Sequence, residues 1–267
     1  MEAAVTLDFY DDVFSMVESN FVENFSQYQD LVRPSYLLET PYKELLVAVA
    51  RGDGKFYSAI RKAKLSESTG ERIVAELVSL NVLNVEYSRE APLKHHPKHK
   101  LKKEQRTYRI QHKLRFVKPF MRFWFGFVSY YSEALASGEG KNFLDNFERH
   151  YERLRSLVYE HLSNALLLQH YADQIEIISS GSYWNIHSEF DILLISKKRK
   201  VILGECKYKQ RKICKNELSK LQAKAVASGI NADVYAIFSK SGFSNELKSM
   251  KNDTLLLFDL DDLALLY

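Results

Sequence analysis

The fold of the C-terminal third is decided by residues 189–207, which run EFDILLI (189–195), SKKRK (196–200) and VILGECK (201–207). Two short apolar runs joined by a polar, charged turn are typical of a β-hairpin. Antiparallel pairing sets the start of the first strand beside the end of the second, so we expect Asp191 next to Glu205. Glu205 and Lys207 are two residues apart and should share one face of the sheet, while Cys206 points to the other. Three charged groups are therefore predicted to meet at one end of an otherwise apolar sheet.

This combination of residue types suits the hydrolysis of a phosphodiester. A hard divalent cation takes carboxylate oxygens as ligands and keeps some of its waters. Such a cation lowers the pKa of bound water and neutralises charge that grows on the phosphorus centre. A nearby lysine can orient the attacking water or stabilise the same charge. We therefore expect Mg²⁺ or Mn²⁺ to be held by Asp191 and Glu205, with Lys207 assisting attack; a structural Glu205–Lys207 salt bridge is the alternative.

The segments around the hairpin predict an α/β domain with a mixed central sheet flanked by helices. Residues 175–178 and 234–238 are apolar runs typical of strands, and 217–225 has the pattern of a helix. A long helix is expected over 143–168, before the sheet, and it carries Glu160.

The order Asp191, Glu205, Lys207 resembles the PD-(D/E)xK, or restriction-endonuclease-like, nuclease superfamily. This resemblance implies that the two carboxylates ligate Mg²⁺ and that the lysine assists the nucleophile. It also implies a further acid on the helix before the sheet, and Glu160 is well placed to be that catalytic and metal-binding residue. An ordinary surface position on the helix is the alternative for Glu160.

More closely, residues 41–267 resemble the uncharacterised C-terminal domain attached to archaeal-type P-loop ATPases. The resemblance rests on the order of several short features: Arg122–Phe125, Tyr159-Glu160, Trp184, Glu189–Asp191, Gly204–Lys207 and Ser239–Phe243. The glycine-lysine pieces at 52–55 and 138–141 lack the spacing and the Ser or Thr of a P-loop. We therefore expect no ATP-driven action in cis, whereas an ATPase partner in trans stays open.

Residues 41–112 predict a winged helix-turn-helix. Apolar stripes mark helices near 45–50, 56–63 and 73–80, with Ser66 or Ser68 as the cap of the third, and alternating strands are expected at 82–87 and 107–110. The loop between these strands is rich in lysine and histidine. Five of its lysines are candidates for phosphate contacts at the tip of a wing: Lys94, Lys98, Lys100, Lys102 and Lys103. Lys209 and Gln222, near the predicted catalytic site, are further candidates for phosphate contacts. A metal site at His95, His96 and His99 and a merely solvated loop are the alternatives.

The remaining segments are predicted to be helical. Residues 1–40 form an acidic segment with eight carboxylates against one base, Arg33, and their aromatic residues recur at helical spacing. This segment could cover the rest of the chain or dock a partner. Residues 113–150 form a connector whose aromatic stripe, from Phe116 to Phe127, is typical of a core rather than of a base-stacking platform. The C-terminal domain is then expected to span 151–267.

Charge and cysteine usage bound the function. The net charge is +4 in total, and residues 41–267 carry the basic excess, which suits a polyanionic partner such as DNA. Two cysteines predict neither a disulfide framework nor a zinc site, and the absence of a signal-like N-terminus favours a cytoplasmic protein that does not enter membranes. The expected function is a metal-dependent deoxyribonuclease positioned by a winged helix and able to act as a homodimer. The alternative is a catalytically inactive DNA-binding or partner-docking protein with a nuclease-like fold.

Overall fold

The structure, a computed structural model, describes residues 10, 12–91, 100, 103, 108–185 and 188–266. Contacts between residues divide the chain into two units, one of Met1–Tyr87 with Gln111–Tyr151 and one of Ser88–Ile110 with Glu152–Tyr267. The segment 88–110, which contains the predicted wing loop and the predicted strand 107–110, is thus grouped with the second unit. The predicted domain bounds at 40, 112 and 150 remain predictions.

The first unit is mainly helical. Its elements are α1 (Val13–Glu18), a π-helical turn (Ser19–Glu23), α2 (Phe25–Gln29), a 3₁₀ turn (Ser35–Leu38), α3 (Tyr42–Arg51), α4 (Phe56–Lys62), α5 (Glu67–Ser79), β1 (Leu83–Glu86), β2 (Lys113–Phe116), α6 (Pro119–Phe123), a π-helical turn (Trp124–Val128), a 3₁₀ turn (Ser129–Tyr131) and α7 (Ser132–Ala136). The long helix α8 (Lys141–Tyr171) begins here, and its residues from 152 onward belong to the second unit.

Aromatic side chains form the core of the first unit, as their spacing predicts. Trp124 and Phe125 are fully buried. The N-terminal segment packs on the same core, since the Phe25 ring stacks on Trp124 with centroids 5.7 Å apart and Phe21 lies 4.8 Å from Phe123. The apolar face of the N-terminal helices therefore covers this unit itself.

Helices α3, α4 and α5 and the β1–β2 pair follow one another in the order expected from the sequence. Ser66 caps α5 by accepting a hydrogen bond from the Thr69 amide at 3.2 Å, so Ser66 rather than Ser68 is the cap. The second strand is not at 107–110 but at Lys113–Phe116, where Leu83 pairs with Phe116. This position is favoured because it buries Leu114 and lets the Leu114 amide donate to the Gly54 carbonyl at 2.7 Å.

The second unit contains a five-stranded mixed sheet. Its elements are the end of α8, then β3 (Ile177–Ser179), β4 (Tyr183–Trp184), β5 (Glu189–Phe190), β6 (Ile192–Ser196), β7 (Val201–Lys207), α9 (Lys215–Ala227), β8 (Val234–Ser239), α10 (Asn245–Ser249), β9 (Leu255–Phe258) and a 3₁₀ turn (Asp261–Leu266). The strand order is β3-β6-β7-β8-β9. Strands β3, β6 and β7 pair antiparallel, whereas β7, β8 and β9 are parallel. The predicted α/β architecture with a mixed sheet is confirmed.

The sheet separates two apolar clusters. Leu203 of β7 packs with Leu218 and Leu221 of α9 on one face. Ile202 of β7 packs with Leu166 and Leu167 of α8 on the other face. Because neighbouring residues of a strand face opposite sides, each position on β7 is assigned either to the α9 side or to the α8 side.

The predicted strand 189–195 is broken at Asp191. Glu189 and Phe190 pair with Trp184 and Tyr183 in a separate two-stranded sheet. The main sheet begins again at Ile192, which pairs with Gly204. Asp191 therefore occupies the bend between two sheets rather than the interior of one strand.

Within the described residues, no helix combines the length and apolar character needed to cross a bilayer.

Candidate functional site

The β6–β7 hairpin brings Asp191 and Glu205 together, as the sequence predicts. Ile192 is opposite Gly204, so one step further along the same register Asp191 meets Glu205. The Cys206 amide donates to Asp191 Oδ2 at 2.7 Å and fixes the carboxylate at the open end of the hairpin. Gly204 allows this close approach, because a Cβ atom there would lie 2.9 Å from the Cβ atom of Ile192.

Two lysines bind the two oxygens of Glu205. Lys207 Nζ lies 2.6 Å from Oε1, and Lys224 Nζ, on helix α9, lies 3.0 Å from Oε2. The side chain of Glu205 is only 13% exposed, so these pairs are poorly screened by water. Glu217 of α9 adds a third carboxylate, with its Oε2 at 3.9 Å from Lys207 Nζ. The α9 face of the sheet thus carries a cluster of alternating charges.

Asp191 is the group whose ionisation this cluster changes most clearly. Burial and the negative charge of Glu205 raise the pKa of Asp191 to about 6, against the lowering influence of the Cys206 amide, Lys207 and Lys224. A second carboxylate beside a buried one disfavours double ionisation, whereas a bound cation would favour it. Asp191 is therefore protonated more easily than an ordinary aspartate, and a cation bound beside it would favour its ionised form.

The pKa values of Lys207 and Glu217 are both shifted in the direction that favours the charged form. Burial lowers the pKa of Lys207, but the hydrogen bond to Glu205 and the charges of Glu205, Asp191 and Glu217 outweigh burial and raise the pKa above its usual value. Burial raises the pKa of Glu217, but the hydrogen bond from Lys220 and the charges of Lys207, Lys220 and Lys209 lower it overall. Lys207 is therefore a permanent cation near neutral pH.

The donor set of Asp191 and Glu205 fits a small hard divalent cation. Magnesium in proteins is commonly held by one or two carboxylates together with waters and substrate phosphate. Among the described residues, no group of three or more His, Cys, Asp or Glu side chains is close enough to hold a metal ion. Asp191 and Glu205 could therefore supply two protein ligands, and a cation that bound them would have to compete with the two ammonium groups on Glu205.

Glu160 lies on α8, the helix that packs on the other side of the sheet. Its charge contributes to raising the pKa of the Cys206 thiol, after burial and Asp191. Cys206 packs in the cluster on the α8 side, so the expectation that its thiol points away from Glu205 and Lys207 is confirmed. Glu160 does not form a three-acid cluster with Asp191 and Glu205. Its role as a third ligand remains a prediction.

The carboxyl ends of the parallel strands β7 and β8 carry exposed basic residues beside the site. The exposed side chains of the loop after β7 include Lys209, Arg211 and Lys212. The loop after β8 contacts this one, since the Ser241 hydroxyl donates to the Lys209 carbonyl at 2.8 Å. Lys240 Nζ lies 4.5 Å from the centroid of the Tyr208 ring. Lys209 is therefore part of a basic rim next to Lys207.

The other predicted phosphate-binding residues are spread more widely. Gln222 is on the exposed side of α9, and two residues correspond to about half a helical turn, so Gln222 and Lys224 point in different directions. Lys100 and Lys103 are exposed. Lys94, Lys98 and Lys102, together with His95, His96 and His99, lie outside the described residues.

Sequence reasoning missed Lys224, Glu217 and Arg89. Glu217 and Lys224 are seven residues apart, two helical turns, and the buried Leu218, Leu221 and Ala225 identify the face that they flank. That spacing was a usable signal. The guanidinium of Arg89 donates to the carbonyls of Leu193 at 3.1 Å, Gly181 at 2.9 Å and Ser182 at 2.8 Å, and to the Ser179 hydroxyl at 2.9 Å. No local pattern indicates this anchor.

Comparisons with known proteins give a family match that includes Asp191, Glu205 and Lys207 but no activity. Residues 124–226 match the family DUF234, described as archaea bacterial proteins of unknown function. No curated protein matches the chain at a significant level. Among solved structures, the crystal structure of protein VC1899 from Vibrio cholerae is 15% identical with a TM-score of 0.31, over 90% of this chain and 53% of that one. The chain therefore spans about half the length of that structure.

Proposed function

We propose that this chain is a metal-dependent deoxyribonuclease of the restriction-endonuclease-like type. One observation carries the proposal: Asp191 and Glu205 meet at the open end of an antiparallel hairpin with Lys207 bonded to Glu205 at 2.6 Å. Two adjacent carboxylates, with a charged lysine beside them, suit metal-dependent phosphodiester hydrolysis.

The chain's own residues have separate tasks in this proposal. Asp191 and Glu205 would hold Mg²⁺ or Mn²⁺, which when bound supplies Lewis-acid activation of water and of the phosphate. The Cys206 amide keeps Asp191 in position through its bond to Oδ2. Lys207, held as a cation by its neighbours, stabilises negative charge on the phosphate and orients the attacking water.

The basic rim supports a nucleic acid as the substrate. Ligands of open sheets with parallel strands commonly bind beyond the carboxyl ends of those strands, which is where Lys209 and Lys240 lie. Lysine and arginine contacts to phosphates provide affinity and position without reading sequence. A DNA backbone lying along Lys209, Arg211 and Lys212 would reach Lys207.

In this proposal the first unit contributes less to phosphate binding than a typical winged helix would. In the predicted winged-helix order α5 would be the recognition helix, but its exposed face carries Glu67 and Glu71 against Arg72. Carboxylates facing phosphates are repelled. We therefore assign phosphate contacts to the exposed Lys100 and Lys103, which are grouped with the second unit, rather than to α5. An ATPase partner in trans and a homodimer stay sequence-based proposals.

The direct test is cleavage of supercoiled plasmid and of single-stranded DNA with Mg²⁺ or Mn²⁺. Asp191→Asn and Lys207→Met should each lower the cleavage rate by about a hundredfold or more, because the first removes a proposed metal ligand and the second removes a positive charge beside the reacting phosphate. Asp173→Asn and Lys197→Met are matched controls, since both side chains are exposed and Lys197 is in the turn at the opposite end of the hairpin. Cleavage that survives in both site variants would refute the assignment.

A second function is favoured by the pairing of both Glu205 oxygens with lysines. A carboxylate neutralised in this way can serve as a structural or docking element without binding metal. The corresponding proposal is a DNA-binding or partner-docking protein that does not cut. DNA binding with no cleavage under any divalent cation, unchanged in Asp191→Asn, would favour it.

A further inference from the structure

Lys224 joins the charge cluster from outside the hairpin. Its Nζ atom is 3.0 Å from Glu205 Oε2 and 5.0 Å from the centroid of the buried Phe190 ring. Helix α9 fixes the base of this side chain, since Leu221 and Ala225 on either side are buried. The side chain of Lys224 is 33% exposed, against 17% for Lys207 and 13% for Glu205. Lys224 therefore has a fixed base and an ammonium group that reaches solvent.

The two lysines on Glu205 differ in what else holds them. Lys207 is also 3.9 Å from Glu217, so it keeps an anionic neighbour if its bond to Glu205 is lost. Lys224 pairs with Glu205 and lies over the uncharged Phe190 ring. A cation that takes Oε2 of Glu205 would therefore release Lys224 more readily than Lys207, which keeps the carboxylate of Glu217 as a neighbour.

Charge counting shows what the released lysine would meet. With Lys220, which lies 3.0 Å from Glu217, the three carboxylates of the cluster are balanced by three ammonium groups when all are ionised: Asp191, Glu205 and Glu217 against Lys207, Lys220 and Lys224. A divalent cation changes the net charge from zero to +2, an excess that attracts an anion. A DNA phosphate at the site would meet an ammonium group that has just lost its own carboxylate.

We infer that Lys224 is an exchangeable counterion, which neutralises Glu205 while no metal is bound and binds a DNA phosphate once a divalent cation occupies Asp191 and Glu205. The inference rests on the proposed function for its substrate, but the exchange itself is a binding property. Lysine suits this role because it acts as a point charge on a flexible stem and needs no fixed geometry. No bond is made or broken in the exchange; only ion pairs are replaced.

The first measurement is Mn²⁺ binding by isothermal titration calorimetry to the full chain and to three variants. Lys224→Met removes the competitor for Glu205, so its Mn²⁺ affinity should exceed that of the natural sequence by about fivefold, the order of one partly buried ion pair. Lys220→Met is the matched control, because Lys220 is on the same helix and pairs with Glu217. Lys224→Arg keeps the charge and should stay close to the natural sequence. Circular dichroism confirms that the variants are folded.

The second measurement is the affinity for a 30-base-pair DNA duplex, in EDTA and in Ca²⁺. Calcium takes the same carboxylate oxygens as ligands, and gels establish that the DNA stays intact during the measurement. Lys224→Met should lose affinity in Ca²⁺ but not in EDTA, where Lys224 is held by Glu205. In Ca²⁺, the plot of log affinity against log salt concentration should be less steep for Lys224→Met than for the natural sequence by about 0.9, which corresponds to the loss of one phosphate contact.

The outcomes separate this inference from the proposed function. Tighter Mn²⁺ binding together with a Ca²⁺-dependent loss of DNA affinity supports the exchange, whether or not plasmid is cut. Equal values for Lys224→Met and Lys220→Met in both measurements overturn the exchange, even if the natural sequence cuts plasmid. Failure of Mn²⁺ to bind to either the natural sequence or Lys224→Met also overturns it, because nothing would then displace Lys224.

Discussion

Asp191→Asn should stabilise the protein above pH 6 while it removes the proposed activity. Burial and Glu205 raise the pKa of Asp191 to about 6, from an ordinary value of 3.8. Between these two values the folded protein retains a proton that the unfolded chain has released. The free energy of unfolding therefore falls as pH rises through this window, and above it the ionised carboxylate destabilises the fold.

The magnitude follows from the size of the shift. A change from 3.8 to about 6 is roughly two pKa units, and each unit corresponds to about 1.4 kcal/mol, so the ionised Asp191 costs about 3 kcal/mol. Asparagine keeps an oxygen that can accept the hydrogen bond from the Cys206 amide and removes the repulsion from Glu205. For a chain of this size, each kcal/mol corresponds to about 2–4 °C in Tm, so we expect a gain of several degrees.

The assay is thermal unfolding by circular dichroism at several pH values from 4 to 8, in EDTA. The natural sequence and Asp191→Asn should have similar Tm values near pH 4, diverge between pH 4 and 6, and keep a nearly constant difference above about pH 6. Asp173→Asn, at an exposed position, should follow the natural sequence throughout. Saturating Mn²⁺ should raise the Tm of the natural sequence more than that of Asp191→Asn and so narrow the gap.

Two results would refute this reasoning. Asp191→Asn could be the less stable protein at pH 8, which would mean that the carboxylate stabilises the fold through its lysine neighbours. The Tm difference could also be constant from pH 4 to 8, which would mean that Asp191 does not titrate in this window.

Three other changes test the packing around the site. Gly204→Val should lower the free energy of unfolding, measured in urea, by about 1–3 kcal/mol, because its Cβ would push Ile192 away from β7. It should also lower the affinity for divalent cations. An unchanged free energy of unfolding would show that the two strands separate without cost. A thiol-reactive dye should label Cys214 rapidly and Cys206 slowly, since Cys214 is exposed and burial raises the pKa of the Cys206 thiol; a fast phase that persists in Cys214→Ser would contradict this. Arg89→Met leaves the Gly181, Ser182 and Leu193 carbonyls without their guanidinium donor and should speed amide hydrogen exchange in 181–193; Lys43→Met, far along the sequence in the first unit, is the control that should leave this exchange rate unchanged.

Local sequence patterns were sufficient for the hairpin and for the pairing of its charged residues. Residues 192–196 and 201–207 form adjacent antiparallel strands because both are apolar and a charged turn joins them. Strand alternation then places Glu205 and Lys207 on one face and Cys206 on the other. The aromatic core of the first unit was predictable for the same reason, since helical spacing alone aligns those rings.

Patterns of similar strength misplaced other elements. Polar and apolar residues alternate both in 107–110 and in 113–116. The strand forms at 113–116, where Leu114 is buried and its amide donates to the Gly54 carbonyl. Asp191 looked like a position inside one continuous strand. The pairing of Glu189 and Phe190 with a second small sheet breaks that strand and turns Asp191 toward the Cys206 amide.

The sequence by itself determined that Asp191, Glu205 and Lys207 meet, because a short hairpin fixes its own register through periodicity and a turn. Only the tertiary structure decided which groups surround them. Lys224 and Glu217 reach the cluster because α9 packs its apolar face on the sheet, and Arg89 reaches the Leu193 carbonyl across a hundred residues of sequence. Such contacts depend on how distant apolar surfaces are buried together, which no local period records, and they set the pKa of Asp191 and the partners of Glu205.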